Sequence, residues 1–185
     1  LSSADANDSR NTAIGYSALS ALNADQNGFN TAVGHDAGAQ MITGIHNTIV
    51  GANAGDALTS GGRNVAIGYL ALSGEDSHGR NVAIGYQALA LQNAGVDAYN
   101  VAIGHDAGKL VSTGIRNTII GGLAGVGLTT GQFNVALGFN SLSSEDDHGR
   151  NTAIGTNTLQ AQNAGADAYN VAVGYDAGFS ISTGT

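Results

Sequence analysis

The residues best equipped for chemistry fall in two short clusters, Glu75-Asp76-Ser77-His78 and Glu145-Asp146-Asp147-His148. Carboxylates suit Ca²⁺ or Mg²⁺, and imidazole suits transition metals. Glu75, Asp76, His78, Glu145, Asp146 and His148 are therefore the candidate metal ligands, but their spacing fits no metal-binding loop and the Gly-centred EF-hand pattern is missing. The plainer expectation is a solvated acidic turn paired with Arg80 or Arg150. His35-Asp36 and His105-Asp106, with Tyr175-Asp176 in the third copy, place an imidazole beside a carboxylate. No nucleophile recurs with them, and adjacent strand residues point to opposite faces. On a threefold axis, His35 and His105 could instead hold an anion or water. No phosphate loop, zinc motif or serine elbow occurs, and no cofactor is expected.

A second set stands in columns. Every Arg immediately precedes a recurring Asn, and the same column is completed by aromatic residues: Arg10, Phe29, His46, Arg63, Arg80, Tyr99, Arg116, Phe133, Arg150 and Tyr169. A parallel column contains Tyr16, His35, Tyr69, Tyr86, His105, Phe139 and Tyr175. One reading is a groove for a glycan or other ligand, with Arg10, Phe29, Arg63, Arg80, Tyr99, Arg116, Phe133, Arg150 and Tyr169 as anchors. The other is a stacking ladder of side chains about 4.8 Å apart. The ladder reading is favoured because the columns run the length of the chain rather than forming one patch.

The elements that must carry these columns are set by one pentapeptide: Asn, Thr or Val, Ala or Ile, an aliphatic residue, Gly. Its Asn falls at 11, 30, 47, 64, 81, 100, 117, 134, 151 and 170. The spacings run 19, 17, 17, 17 and repeat, giving a super-repeat of 70 residues. A short strand returning at that interval predicts a parallel β-solenoid of ten coils, all-β and a single domain over residues 1–185. The two extra residues of each 19-residue coil belong in a loop, because a strand cannot absorb them without losing register. The Asn column is expected to form a buried amide ladder, bonded to the turn or to its neighbours along the stack.

Both faces of each strand are poor in charge. Thr12 and Ile14 share one face; Asn11, Ala13 and Gly15 share the other. The interior of the coil, with Leu22, Met41, Leu58, Val111, Leu128 and Ile181, is expected to cover the first. The small Ala/Gly face would then need another cover, over roughly 45–50 Å of stacked strands. That predicts an oligomer, with a cyclic homotrimer burying the Ala/Gly face at its axis. A dimer or a bare monomer is the alternative. The turn glycines of Thr43-Gly44, Ser60-Gly61-Gly62, Thr113-Gly114 and Thr130-Gly131 are expected to close coils with positive φ.

Composition bounds the partners. The 185 residues include 29 Gly, no Pro and no Cys, so collagen and disulfide or thiolate-metal chemistry are excluded. A net charge of −8 argues against nucleic acid, which demands a basic face. The apolar runs are too short for a membrane helix, so no direct membrane insertion is expected. The first residues carry no signal-peptide pattern and no initiator Met, which suggests an excised or processed fragment.

The cores NTAIGYSAL, NTAVGHDAG and NVAIGYQAL resemble the head repeats of YadA-like trimeric autotransporter adhesins, and related repeats of phage tail-fibre and surface-fibre proteins. The resemblance spans residues 11–178. It implies a left-handed β-roll assembled as a homotrimer, placed outside the cell on a bacterial surface or virion fibre. It also implies adhesion to a host cell, matrix protein or glycan. The coils here are longer than the usual head repeat and begin with Asn rather than Ser. The expected function is therefore non-enzymatic attachment, with a structural spacer as the alternative. A polysaccharide-degrading solenoid would need clustered carboxylates, which this chain disperses by repeat.

Overall fold

The computed structural model describes residues 10–23 and 27–184. Ten strands of three residues run β1 (Thr12–Ile14), β2 (Thr31–Val33), β3 (Thr48–Val50), β4 (Val65–Ile67), β5 (Val82–Ile84), β6 (Val101–Ile103), β7 (Thr118–Ile120), β8 (Val135–Leu137), β9 (Thr152–Ile154) and β10 (Val171–Val173). They form one parallel sheet in chain order, so each strand pairs only with the coils before and after it. The register never slips: Thr12 faces Thr31, Val82 faces Val101 and Thr152 faces Val171. The long coils keep this register because their extra residues lie in the loops, as at 93–99, where Gly95 has open space around it.

The sheet is zipped by the asparagines. Each Asn from 30 to 170 donates its backbone N–H to the side-chain Oδ1 of the Asn one coil earlier, at 2.7–3.2 Å. Its carbonyl accepts the N–H that follows that earlier Asn, as in Val82 N to Asn100 O at 2.9 Å. Because each Oδ1 is held this way, each Nδ2 is aimed elsewhere. In seven coils it donates to the backbone carbonyl fourteen residues on, such as Asn30 to Gly44 and Asn117 to Gly131. Asn30 through Asn151 are buried, so these bonds run in a dry interior, where an unmet amide costs about 1–3 kcal/mol.

The two strand faces are the reverse of the sequence expectation. Ala32, Ile49, Ala66, Ala83, Ala102, Ile119, Ala136 and Ala153 are fully buried inside the coil. The Thr/Val and Ile/Val/Leu positions look outward and are half-buried or exposed. The reason is the narrow bore. The opposite wall carries Leu19, Leu22, Met41, Leu58, Leu72, Leu89, Leu128, Leu142 and Leu159, all buried, and little room remains for a second large side chain. Ile49 and Ile119 fit because the facing corners are glycine: a Cβ at Gly38 would lie 3.0 Å from Ile49, and one at Gly108 would lie 2.9 Å from Ile119. Val111 is also buried, whereas Ile181 is 40 % exposed in the last coil.

Small residues thus serve contact between coils of this chain. A Cβ on Gly85 would sit 2.3 Å from the carbonyl oxygen of Gly104. Gly44, Gly61, Gly114 and Gly131 are needed for the same closeness; each would bring a Cβ within 2.3–2.7 Å of the next coil's carbonyl. None of them has the positive φ expected of a turn glycine. The left-handed corners are made by other glycines, such as Gly38, Gly55, Gly108 and Gly125 with φ from 50 to 59°, and by side-chain-bearing residues, including the whole Arg/aromatic column with φ from 42 to 64°.

Gly114→Ala, at a glycine without positive φ whose Cβ would lie 2.4 Å from the Gly131 carbonyl oxygen, is expected to cost about 3 kcal/mol or prevent folding, since backbone must move. Gly95→Ala, with φ 69° and no atom within 4 Å, is expected to cost about 1 kcal/mol. Urea unfolding of the two variants distinguishes close approach from backbone conformation as the demand on glycine.

Candidate functional site

The column before the Asn residues is exposed because its corner backbone is left-handed and tied down. Arg116 N bonds Ala98 O and Arg150 N bonds Gln132 O in the preceding coil. With the backbone fixed inward, the side chain projects outward. Successive members stack. Arg10 lies 5.5 Å from the Phe29 ring, and Phe29 stacks on His46 at 5.3 Å. Arg80 covers Tyr99 at 5.2 Å and also bonds its hydroxyl. Phe133 is sandwiched between Arg116 at 5.5 Å and Arg150 at 5.3 Å, and Arg150 also covers Tyr169. Each such contact is worth about 0.5–1 kcal/mol at an exposed site. Arg63 stands in the same column, with its N–H on Ile45 O.

Acidic residues bracket this ladder. Arg80 pairs with Asp97 at 2.7 Å and Arg150 with Asp167 at 3.3 Å. These are the partners of Arg80 and Arg150, in place of the acidic clusters expected from sequence. Asp97 and Asp167 recur two residues before Tyr99 and Tyr169, in VDAYN and ADAYN, and their N–H partners Gly79 and Gly149 fix them. Sequence reading passed over them although the repeat displayed them. A shallow cavity of about 150 Å³ opens between Thr130, Gln132, Phe133, Asp147, Arg150 and Asp167. It offers an aromatic edge, a guanidinium and two carboxylates, a set suited to hydroxyl groups rather than to a bare ion. Asp147 is already held by the Thr129 and Thr130 hydroxyls, which lower its pKa.

The second column also stacks: Tyr16 on His35 at 5.1 Å, Tyr69 on Tyr86 at 5.5 Å, and Tyr86 on His105 at 4.9 Å. His35 meets Asp36 at 3.0 Å and His105 meets Asp106 at 3.3 Å. These neighbours touch, contrary to the strand expectation, because both pairs lie past the strand and Asp36 and Asp106 have φ 54°.

The metal candidates come together in part. One ligand atom each from Glu75, Asp76 and His78 lies within 4.8 Å of the others, and the same holds for Glu145, Asp146 and His148. The turns are not solvated acids, however. Glu75 and Glu145 are fully buried, at the wall position that elsewhere carries Leu58 or Leu128. One carboxylate oxygen accepts the N–H of His78 or His148. Asp76 is occupied by the Ser77 hydroxyl, which lowers its pKa.

Burial raises the pKa of Glu75 and Glu145, against the opposing pull of the histidine N–H bonds. A carboxyl raised in the folded state stabilises the fold fully below its ordinary value of 4.5, and that contribution is lost as pH rises through the folded value. Thermal unfolding of Glu75→Gln/Glu145→Gln is therefore expected to change less between pH 4.5 and neutrality than that of the parent. An unchanged slope would mean these acids do not titrate with folding.

Among the described residues no helix is long and apolar enough to cross a membrane. No family model, curated protein or solved structure matches the chain.

Proposed function

We propose that this chain is a segment of a homotrimeric fibre that acts outside the cell and attaches its bearer to a cell surface, matrix protein or glycan, without catalysis. One observation carries the reading. The outward face of the sheet is a continuous double row of β-branched and aliphatic side chains, from Thr12 and Ile14 to Val171 and Val173, without a charge. Ile14, Ile103 and Leu137 are 60 %, 36 % and 40 % exposed. An apolar stripe running along a rod is a surface for other chains. Its length and repeat fit copies of the same chain in register, which is the arrangement the head-repeat resemblance implies. The axis is then lined by Val, Ile, Leu and Thr, in place of the Ala and Gly inferred from sequence alone.

Attachment falls to the residues flanking this stripe. The cavity beside Phe133 and Arg150 is the most suitable place, because its polar groups converge on open space. A spacer is the second reading. It is favoured by the ladder itself: both faces of Phe133 are taken by Arg116 and Arg150.

Ile84→Asp combined with Ile103→Asp is expected to reduce a trimer to monomers by light scattering, because three acids would meet at each level of the axis. A monomeric parent would remove the trimer. On arrays of glycans and matrix proteins the parent is expected to bind, and Arg150→Ala with Gln132→Ala to lose at least tenfold in affinity. An assembled parent that binds nothing would leave the spacer.

A further inference from the structure

Three asparagines break the ladder's rule. Asn11, Asn81 and Asn151 have buried Nδ2 groups with no hydrogen-bond partner in the protein. These three open the 19-residue coils, and for Asn81 and Asn151 the cause is the insertion itself. Fourteen residues after Asn81 and Asn151 stand Gly95 and Gly165, in loops that bow away until a Cβ would meet nothing within 4 Å. The turn carbonyl that serves the other seven amides is therefore displaced.

A short coil shows which wall side chain faces a ladder amide. The wall side chain six residues before Asn47 is Met41, whose sulfur lies 3.9 Å from Asn47 Nδ2. Six residues before Asn81 and Asn151 the wall side chains are Glu75 and Glu145. Both are fully buried, and both have one oxygen, Oε2, without a partner. In the coil above Glu75, Gln92 occupies the same wall position. Its Oε1 is fixed by Asn100 Nδ2 at 2.7 Å, which leaves its buried Nε2 unpartnered as well. The corresponding Gln162 bonds Asn170 at 3.0 Å and reaches Gly184 O at 3.4 Å. The acid also appears before Asn11, as Asp5, which lies outside the described residues.

We propose that Glu75 and Glu145 replace the missing turn carbonyl, each holding one buried water against the ladder amide of Asn81 or Asn151, with Gln92 as a further donor in the first copy. The donor count selects water. Asn81 Oδ1 is engaged by Asn100 N, so its amide orientation is set and Nδ2 presents hydrogens. A cation there would face N–H groups. A water accepts from the amides and donates to the carboxylate, meeting the two to four partners that buried waters require. The ion-binding alternative on the outer side, through Asp76 and His78, leaves the Asn81 amide unmet.

The test is a crystal structure of the protein at a resolution that orders internal waters, joined to a coil-shortening experiment. A water bonded to Glu75 Oε2 and Asn81 Nδ2, and another to Glu145 Oε2 and Asn151 Nδ2, is expected. A direct carboxylate–amide bond with no water, or a zinc ion on Glu75, Asp76 and His78 after soaking, would overturn the proposal. In solution Glu75→Leu is expected to lower Tm by about 5 °C in the parent. The same substitution should cost little once Gly95 and Val96 are deleted, because the shortened coil returns a carbonyl to the fourteenth place. Equal losses in both backgrounds would show that Glu75 does not stand in for the carbonyl. If the shortened chain fails to fold, the water positions in the parent crystal still decide.

Discussion

Every other feature of the rod depends on the side-chain oxygen of one asparagine accepting the backbone N–H of the next. That bond fixes coil height, because nothing longer than an amide and nothing offset by a residue can make it. It orients the amide, so the nitrogen must find its own acceptor across the turn. It also stacks the coils in register, so that the pentapeptide's glycines, whose φ of 130–142° would aim a Cβ along the stack, face the next coil's carbonyl from Gly15 to Gly155. A buried chain of such bonds is costly to interrupt, since each loss strands a donor away from water.

The narrow bore follows from the same geometry and decides what faces outward. Alanine lines the sheet side of the interior because leucine, methionine and valine fill the opposite wall. The larger β-branched residues are displaced to the outside, where they form the exposed stripe that we propose as an association surface. The corners before each strand are left-handed, so arginine and aromatic residues there project outward and stack on the coil above. Fold, assembly surface and candidate binding column are thus consequences of one packing problem rather than separate features.

Much of this was legible in the sequence. The spacing of Asn11 to Asn170 identified the strands, their order and register, and the place of the two-residue insertions. The amide ladder and the stacked columns followed from side chains recurring at coil height. Which face lies inside was not legible from hydrophobicity, because Ile outranks Ala as a core residue until the width of the coil is known. The turn glycines misled for a related reason: Gly61 and Gly131 answer to a carbonyl one coil away. Glu75 and Glu145 looked like surface acids because the wall position they share with Leu58 and Leu128 is defined only once the coils are stacked. A signal was nonetheless present, since an acid stands six residues before each asparagine that opens a long coil.

The ladder is tested most directly by residue-resolved hydrogen exchange of the backbone amides. Those of Asn47, Asn64, Asn81, Asn100, Asn117 and Asn134 are expected to be among the slowest in the chain, and slower than the amides of the loop at Ala94–Val96 by at least a thousandfold (about 4 kcal/mol of opening free energy). Ladder amides that exchange as fast as those of the loop would contradict the account.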